Sequence, residues 1–127
     1  MLTILIADDE AHIVDLVRVT LEDDRVRVVD APDGATALLL AAELEPELIF
    51  LDVNLPDLSG LDVCRRLRRE PRLAGARIVM LTAAAQQDDI TRGLAAGASQ
   101  YLTKPFSPVR LLSIVEGLLP RAAWLPE

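Results

Sequence analysis

Apolar and polar positions along the chain follow two alternating rhythms. Five short runs read as strands: Leu2 to Ala7, Val26 to Ala31, Leu48 to Asp52, Arg77 to Thr82 and Ser99 to Leu102. A continuous apolar run such as Leu48-Ile49-Phe50-Leu51 is what a strand buried on both faces requires. Between the runs, apolar residues recur at helical spacing. The first helix spans about Glu10 to Glu22, with Ile13, Leu16, Val17 and Leu21 on one face. Asp33 caps a second helix that runs to Leu44, and Pro46 marks its end. Ser59 caps a third, with Asp62 completing a capping-box pattern and Leu61, Cys64 and Leu67 facing inward. A fourth spans about Gln86 to Ala96, followed by Gly97 as a C′ residue. Ser107 caps the fifth, Pro108 takes its first position, and Leu111, Val115 and Leu118 form its apolar face.

Strands alternating with helices predict an α/β domain over residues 1–119, a doubly wound five-stranded parallel sheet of flavodoxin-like order 2-1-3-4-5 with five helices. Crossovers are expected to be right-handed. Residues 120–127, with Trp124, read as a C-terminal tail or linker stub. Half of the 127 residues are hydrophobic, enough for one core. No apolar run approaches the roughly 20 residues that span a bilayer. The first residues lack the basic start of a signal peptide, and a lone Cys64 excludes an internal disulfide, so a cytoplasmic protein is expected. The net charge of −7 argues against direct nucleic-acid binding by this domain.

In the order 2-1-3-4-5, ligands bind outside the carboxyl ends of the strands, beside the switch between strands one and three. Strand one ends in Asp8 and Asp9, strand three in Asp52 and strand four in Thr82, while Lys104 and Pro105 follow strand five. Strand two, at an edge, ends blandly. Singly, these residues have ordinary readings. An Asp-Asp-Glu before a helix is favourable charge at its N-terminus. Thr82 is a strand-end hydroxyl, Lys104 a solvated lysine, Tyr101 a core residue, and His12 a solvent-facing side chain. The basic run Arg65 to Glu70 reads as a solvated helix face. Together, on neighbouring strands, the polar residues suggest a site. Clustered carboxylates raise one another's pKa unless a cation sits among them. An all-oxygen donor set suits Mg²⁺. A carboxylate is already ionised near neutrality and can attack phosphorus, with a metal and a lysine neutralising charge.

The segments "ILIADDEAHI", "LIFLDVNLPDLSGLDVCRRLR", "IVMLTAAA" and "GASQYLTKPFS" resemble the receiver domain of two-component response regulators, in the family's order and spacing, from Leu2 to about Leu119. The resemblance implies that Asp52 accepts a phosphoryl group from a phosphohistidine on a sensor kinase or phosphotransfer protein. It implies Mg²⁺ held by Asp9, Asp52 and the backbone carbonyl of Asn54, with Asp8 acting through a metal-bound water. Lys104 would pair with Asp52 and then with the phosphoryl oxygens. Thr82 and Tyr101 would act as switch residues, and the Lys104–Pro105 bond would be cis. The face made by helix four, strand five and helix five would carry the signal.

Two other readings compete. A haloacid-dehalogenase-type phosphatase also uses an aspartate nucleophile and Mg²⁺, but places it on strand one with a second acid two residues on. Here no acid lies two residues after Asp8, and no cap domain is present. A phosphorylation-independent pseudo-receiver would lack Asp52, Lys104 or the acidic pair, and all are present. The chain departs from its relatives at "GASQYL", where Ser99 and Gln100 replace the acids of the usual "GADDYL", and helix five carries no basic row. Those rim charges set register and partner choice, so a monomer is expected without phosphorylation.

Overall fold

Two apolar layers enclose one sheet, and successive residues of each strand supply them in turn. The computed structural model describes residues 1–83 and 87–119. Its elements are β1 (Leu2–Ala7), α1 (Ala11–Leu21), β2 (Val26–Ala31), α2 (Gly34–Leu44), β3 (Leu48–Asp52), α3 (Gly60–Arg69), β4 (Arg77–Ala83), α4 (Gln87–Ala95), β5 (Gln100–Lys104) and α5 (Pro108–Leu118). A short 3-10 turn at Pro71–Leu73 precedes β4. The sheet order is β2-β1-β3-β4-β5, all parallel, as the alternation of elements predicts.

Successive strand residues point to opposite faces. Ile4, Ile6, Leu48, Phe50, Val79 and Leu81 pack with α1 and α5. Leu5, Ala7, Ile49, Leu51, Ile78 and Met80 pack with α2 and α3. All five residues of β3 are buried, which accounts for its unbroken apolar run and leaves its last residue, Asp52, inside the protein. The register sets Ala7 beside Leu51, Asp52 beside Leu81 and Ala83 beside Lys104, so four strands end at one level.

The helix caps follow the sequence closely. Asp33 accepts from the Thr36 amide, Ser59 from Leu61 and Ser107 from Arg110. Gly97 takes φ +110° after α4, the backbone region that favours glycine. Several expectations are corrected. Leu16 is only half-buried on α1, and Val14 is buried instead. Asp62 turns to Arg65 at 2.8 Å rather than back to the Ser59 amide. Arg68 is no solvated residue: its guanidinium donates to the carbonyls of Ala76 (2.7 Å) and Gly97 (2.8 Å). β5 continues two residues past Leu102, because Thr103 and Lys104 pair with Thr82 and Ala83. The polar pair hid that extension, since an edge strand needs no apolar residues to complete a ladder. The expected start of α4 at Gln86, Trp124 and the tail 120–127 lie outside the described residues.

The loop from β3 to α3 returns tightly. Gly60 donates to the Val53 carbonyl at 2.8 Å, and a Cβ at Gly60 would lie 2.0 Å from the Asp52 carbonyl oxygen. Main-chain atoms cannot move aside as a side-chain tip does. Gly60→Ala is therefore expected to destabilise by about 3 kcal/mol, the upper range for overpacking. Gly75→Ala, where a Cβ meets nothing within 4 Å, is the control. Urea denaturation of the two variants measures the difference.

Candidate functional site

The end of β1 supplies two acids in different settings. Asp8 is buried, and its Oδ1 accepts the Glu10 amide at 2.9 Å, turning the chain into α1. Asp9 is exposed at the same rim. Glu10 stands at the N-cap of α1 but makes no side-chain cap bond, because its carboxylate is directed to Lys104. Asp52 is buried at the tip of β3, and its Oδ1 accepts the Asn54 amide at 3.0 Å.

Lys104, the last residue of β5, reaches back across the sheet end. Its Nζ lies 2.7 Å from Asp8 Oδ2, 2.8 Å from Glu10 Oε1 and 3.2 Å from Asp52 Oδ2. Its side chain is only 12% exposed. The contact with Asp8 is an ion pair only. Asp8 Oδ2 is buried and has no partner other than Lys104 among the described residues. Oxygens of Asp8, Asp9, Glu10 and Asp52 all lie within 4.8 Å of one another. One ammonium thus faces four carboxylates.

Electrostatics follow from that imbalance. Burial, the largest cause, and the Asp8 charge push the Asp52 carboxyl up, while the Asn54 amide and Lys104 pull it back. Burial alone would lower Lys104, but the Asp8, Glu10 and Asp52 carboxylates outweigh it and raise its pKa. The hydrogen bond from Lys104 holds the Glu10 carboxyl below its usual value. An all-oxygen donor set, an excess of negative charge and a buried carboxylate oxygen whose partner is a shared ammonium fit a hard divalent cation.

The other expected residues are placed as follows. Thr82 is buried one residue before the end of β4, its Oγ1 3.5 Å from the Ala83 carbonyl. Tyr101 lies opposite Met80, half-buried against the layer that contains α2 and α3. The Lys104–Pro105 bond is cis. Asn54 is exposed in the loop after β3 and bridges to Ser59. His12 is exposed, 3.4 Å from Glu10. Sequence reasoning passed over Glu10, reading it as helix-start charge. A third consecutive acid at a strand end was the available signal.

A doubly wound sheet with a buried, cation-ready acid cluster at its carboxyl edge defines a receiver-type domain. The family model "Response regulator receiver domain" matches residues 4–116, and the chain belongs to that family. It is 44% identical over 124 residues to the DNA-binding dual master transcriptional regulator RpaA of Synechocystis sp., covering 98% of this chain and 52% of that protein. It is 40% identical over 119 residues to the phosphate regulon transcriptional regulatory protein PhoB of Pseudomonas aeruginosa, covering 94% and 52%. The chain therefore spans about half the length of these relatives. Among solved structures, the chemotaxis response regulator CheY4 of Vibrio cholerae superposes with a TM-score of 0.87 at 33% identity, covering 94% of this chain and 99% of that one. The chain is a receiver domain of the response regulators phosphorylated in two-component signalling, and the phosphatase and pseudo-receiver readings are not favoured.

Two stability predictions follow from the site's charges. The folded-state pKa of Asp52 is raised, so its contribution to stability is largest in acid and is lost as pH climbs through that raised value. Without metal, Asp52→Asn is expected to melt higher than wild type near neutrality, and the gap to close below the carboxylate range. Lys104 is raised too, so its contribution holds across neutral pH and is lost only in strong alkali. Lys104→Ala leaves Asp8 and Asp52 buried without a cation, a loss of about 3 kcal/mol at neutral pH. Urea titrations across pH measure both.

Proposed function

We propose that Asp52 is the phosphoacceptor and that residues 1–119 form the receiver unit, acting in the cytoplasm. The observation that carries this reading is Asp52 itself. It is the last ladder residue of the central, fully buried strand β3, paired beside Leu81 of β4, and one of its oxygens lies 3.2 Å from the Lys104 ammonium. A carboxylate oxygen of Asp52 attacks phosphorus. The new P–O bond forms as the P–N bond of a partner's phosphohistidine breaks, and the electron pair leaves on the imidazole nitrogen. Asp8, Asp9 and Asp52, with the Asn54 carbonyl, would hold Mg²⁺, which when bound neutralises phosphoryl charge. Asp8 would contribute mainly through a metal-bound water.

Lys104 offers its ammonium to the phosphoryl oxygens. In doing so it exchanges its pairing with Asp52 and loosens its hold on Glu10. The Thr82 hydroxyl moves onto the phosphoryl group, and Tyr101 packs inward behind it. Both lie on the strands that border α4, so the change is read at the α4–β5–α5 face. The domain assists its own phosphorylation and dephosphorylation and turns over no separate substrate. Its phosphodonor is a sensor histidine kinase or phosphotransfer protein. Nucleic acid is not contacted by this acidic domain, whatever a neighbouring region does.

Incubation with a small phosphodonor and Mg²⁺ should add one phosphoryl group by intact mass. Asp52→Asn should gain none, and equal labelling of that variant would sink the assignment.

Arg92 and Arg110 are exposed and have no ion pair among the described residues. Ser99, in place of an acid, accepts the Ile78 amide and a bond from Arg68. We expect a monomer by light scattering before activation and at most weak dimers with beryllofluoride. A tight dimer at low micromolar concentration would contradict this.

A further inference from the structure

The loop that leaves Asp52 carries Asn54, and something must hold that loop still. Its base is fixed by Gly60 against the Asp52 and Val53 backbone. Its tip is fixed elsewhere. Asp57 is exposed, yet its carboxylate is fully engaged. Oδ1 accepts the Gly34 amide at 2.7 Å and Oδ2 the Ala35 amide at 2.9 Å, both at the start of α2. Oδ1 also accepts Leu58 at 2.9 Å. These amide bonds hold the Asp57 carboxyl below the usual aspartate range, so it stays ionised wherever the site works. Packing closes the same junction. A Cβ at Gly34 would lie 2.9 Å from Leu58 Cβ and 3.0 Å from Val63 Cγ2, so only glycine lets α2 approach this closely.

We infer that Asp57 is a positioning residue: it latches the β3–α3 loop to the N-terminus of α2 and so holds Asn54 in place at the acid cluster. The path is short. Asp57 lies three residues beyond Asn54, whose amide donates to Asp52 Oδ1 and whose position is shared with Ser59 through a bridge. Freeing the loop tip frees the donor to Asp52 and the carbonyl offered to a cation. The inference rests on the cation reading of the cluster.

α2 supplies its own control. Asp33 caps the same helix by accepting the Thr36 amide at 2.8 Å, and among the described residues its carboxylate accepts no hydrogen bond from the loop. A merely structural role for Asp57 predicts that Asp57→Ala and Asp33→Ala behave alike. The latch predicts that they differ. In metal-free protein, amide exchange at Asn54 should quicken in Asp57→Ala and stay at the wild-type rate in Asp33→Ala. By calorimetry with Mg²⁺ alone, Asp57→Ala should bind about tenfold more weakly, the scale for groups that orient a ligand from behind, with Asp33→Ala unchanged. Asp57→Asn keeps an acceptor oxygen and should recover part of both. Wild-type Asn54 exchange and Mg²⁺ affinity in a folded Asp57→Ala protein would overturn the latch. Equal effects from Asp33→Ala would overturn it too, by tracing them to the helix as a whole. Wild-type protein that binds no Mg²⁺ would instead overturn the cation reading, while the exchange result still reports on the latch.

Discussion

The structure turns on one ammonium placed among acids that would otherwise repel one another. Asp8 and Asp52 are almost fully withdrawn from water, and Lys104 reaches both from the far end of β5. Unpaired buried carboxylates protonate or unfold the protein, and paired ones persist. The parallel register makes the pairing possible by ending β1, β3, β4 and β5 at one level. Even so, one positive charge cannot balance four negative ones. The site is stable enough to fold and still short of positive charge, which is the condition that favours a divalent cation; an anionic phosphodonor would be accommodated once that charge is supplied.

That shortage also explains why Lys104 suits a switch. Its present partners are a buried acid on each of two strands and an exposed acid at the start of α1. A phosphoryl group on Asp52 brings new oxygens into the same reach. On the proposed reading, the lysine would then have a stronger partner without leaving its place, and α1 would lose part of a tether. Thr82, buried near the end of β4, and Tyr101, half-buried three residues before Lys104 on β5, would carry that change away from the site.

Much of this was legible in the sequence because burial on both faces leaves a plain signature. Ile4 to Ala7 in β1 and Leu48 to Leu51 in β3 are unbroken apolar runs, so an acid at the end of each stands out. The strand order then places Asp8, Asp9, Asp52, Thr82 and Lys104 together without any coordinates. What escaped were features set by tertiary context. Thr103 and Lys104 belong to β5 through ladder bonds to β4, not through hydrophobicity. Arg68 sits in a run of exposed arginines, and only the nearby carbonyls of Ala76 and Gly97 draw it inward. Glu10 reads as a helix-start acid, and nothing in its own segment singles out Asp57. Their roles appear when a lysine and a helix N-terminus arrive from distant parts of the chain.

The central claim is that Asp52 is the acceptor and Lys104 the group that senses it. A high-resolution crystal structure with Mg²⁺ and beryllofluoride tests it most directly. The account predicts the fluoride adduct on an Asp52 oxygen, an ion among Asp8, Asp9 and Asp52, and Lys104 Nζ on a fluorine with its Glu10 contact lengthened. An adduct on another carboxylate, or Lys104 still shared among Asp8, Glu10 and Asp52 as it is now, would contradict it.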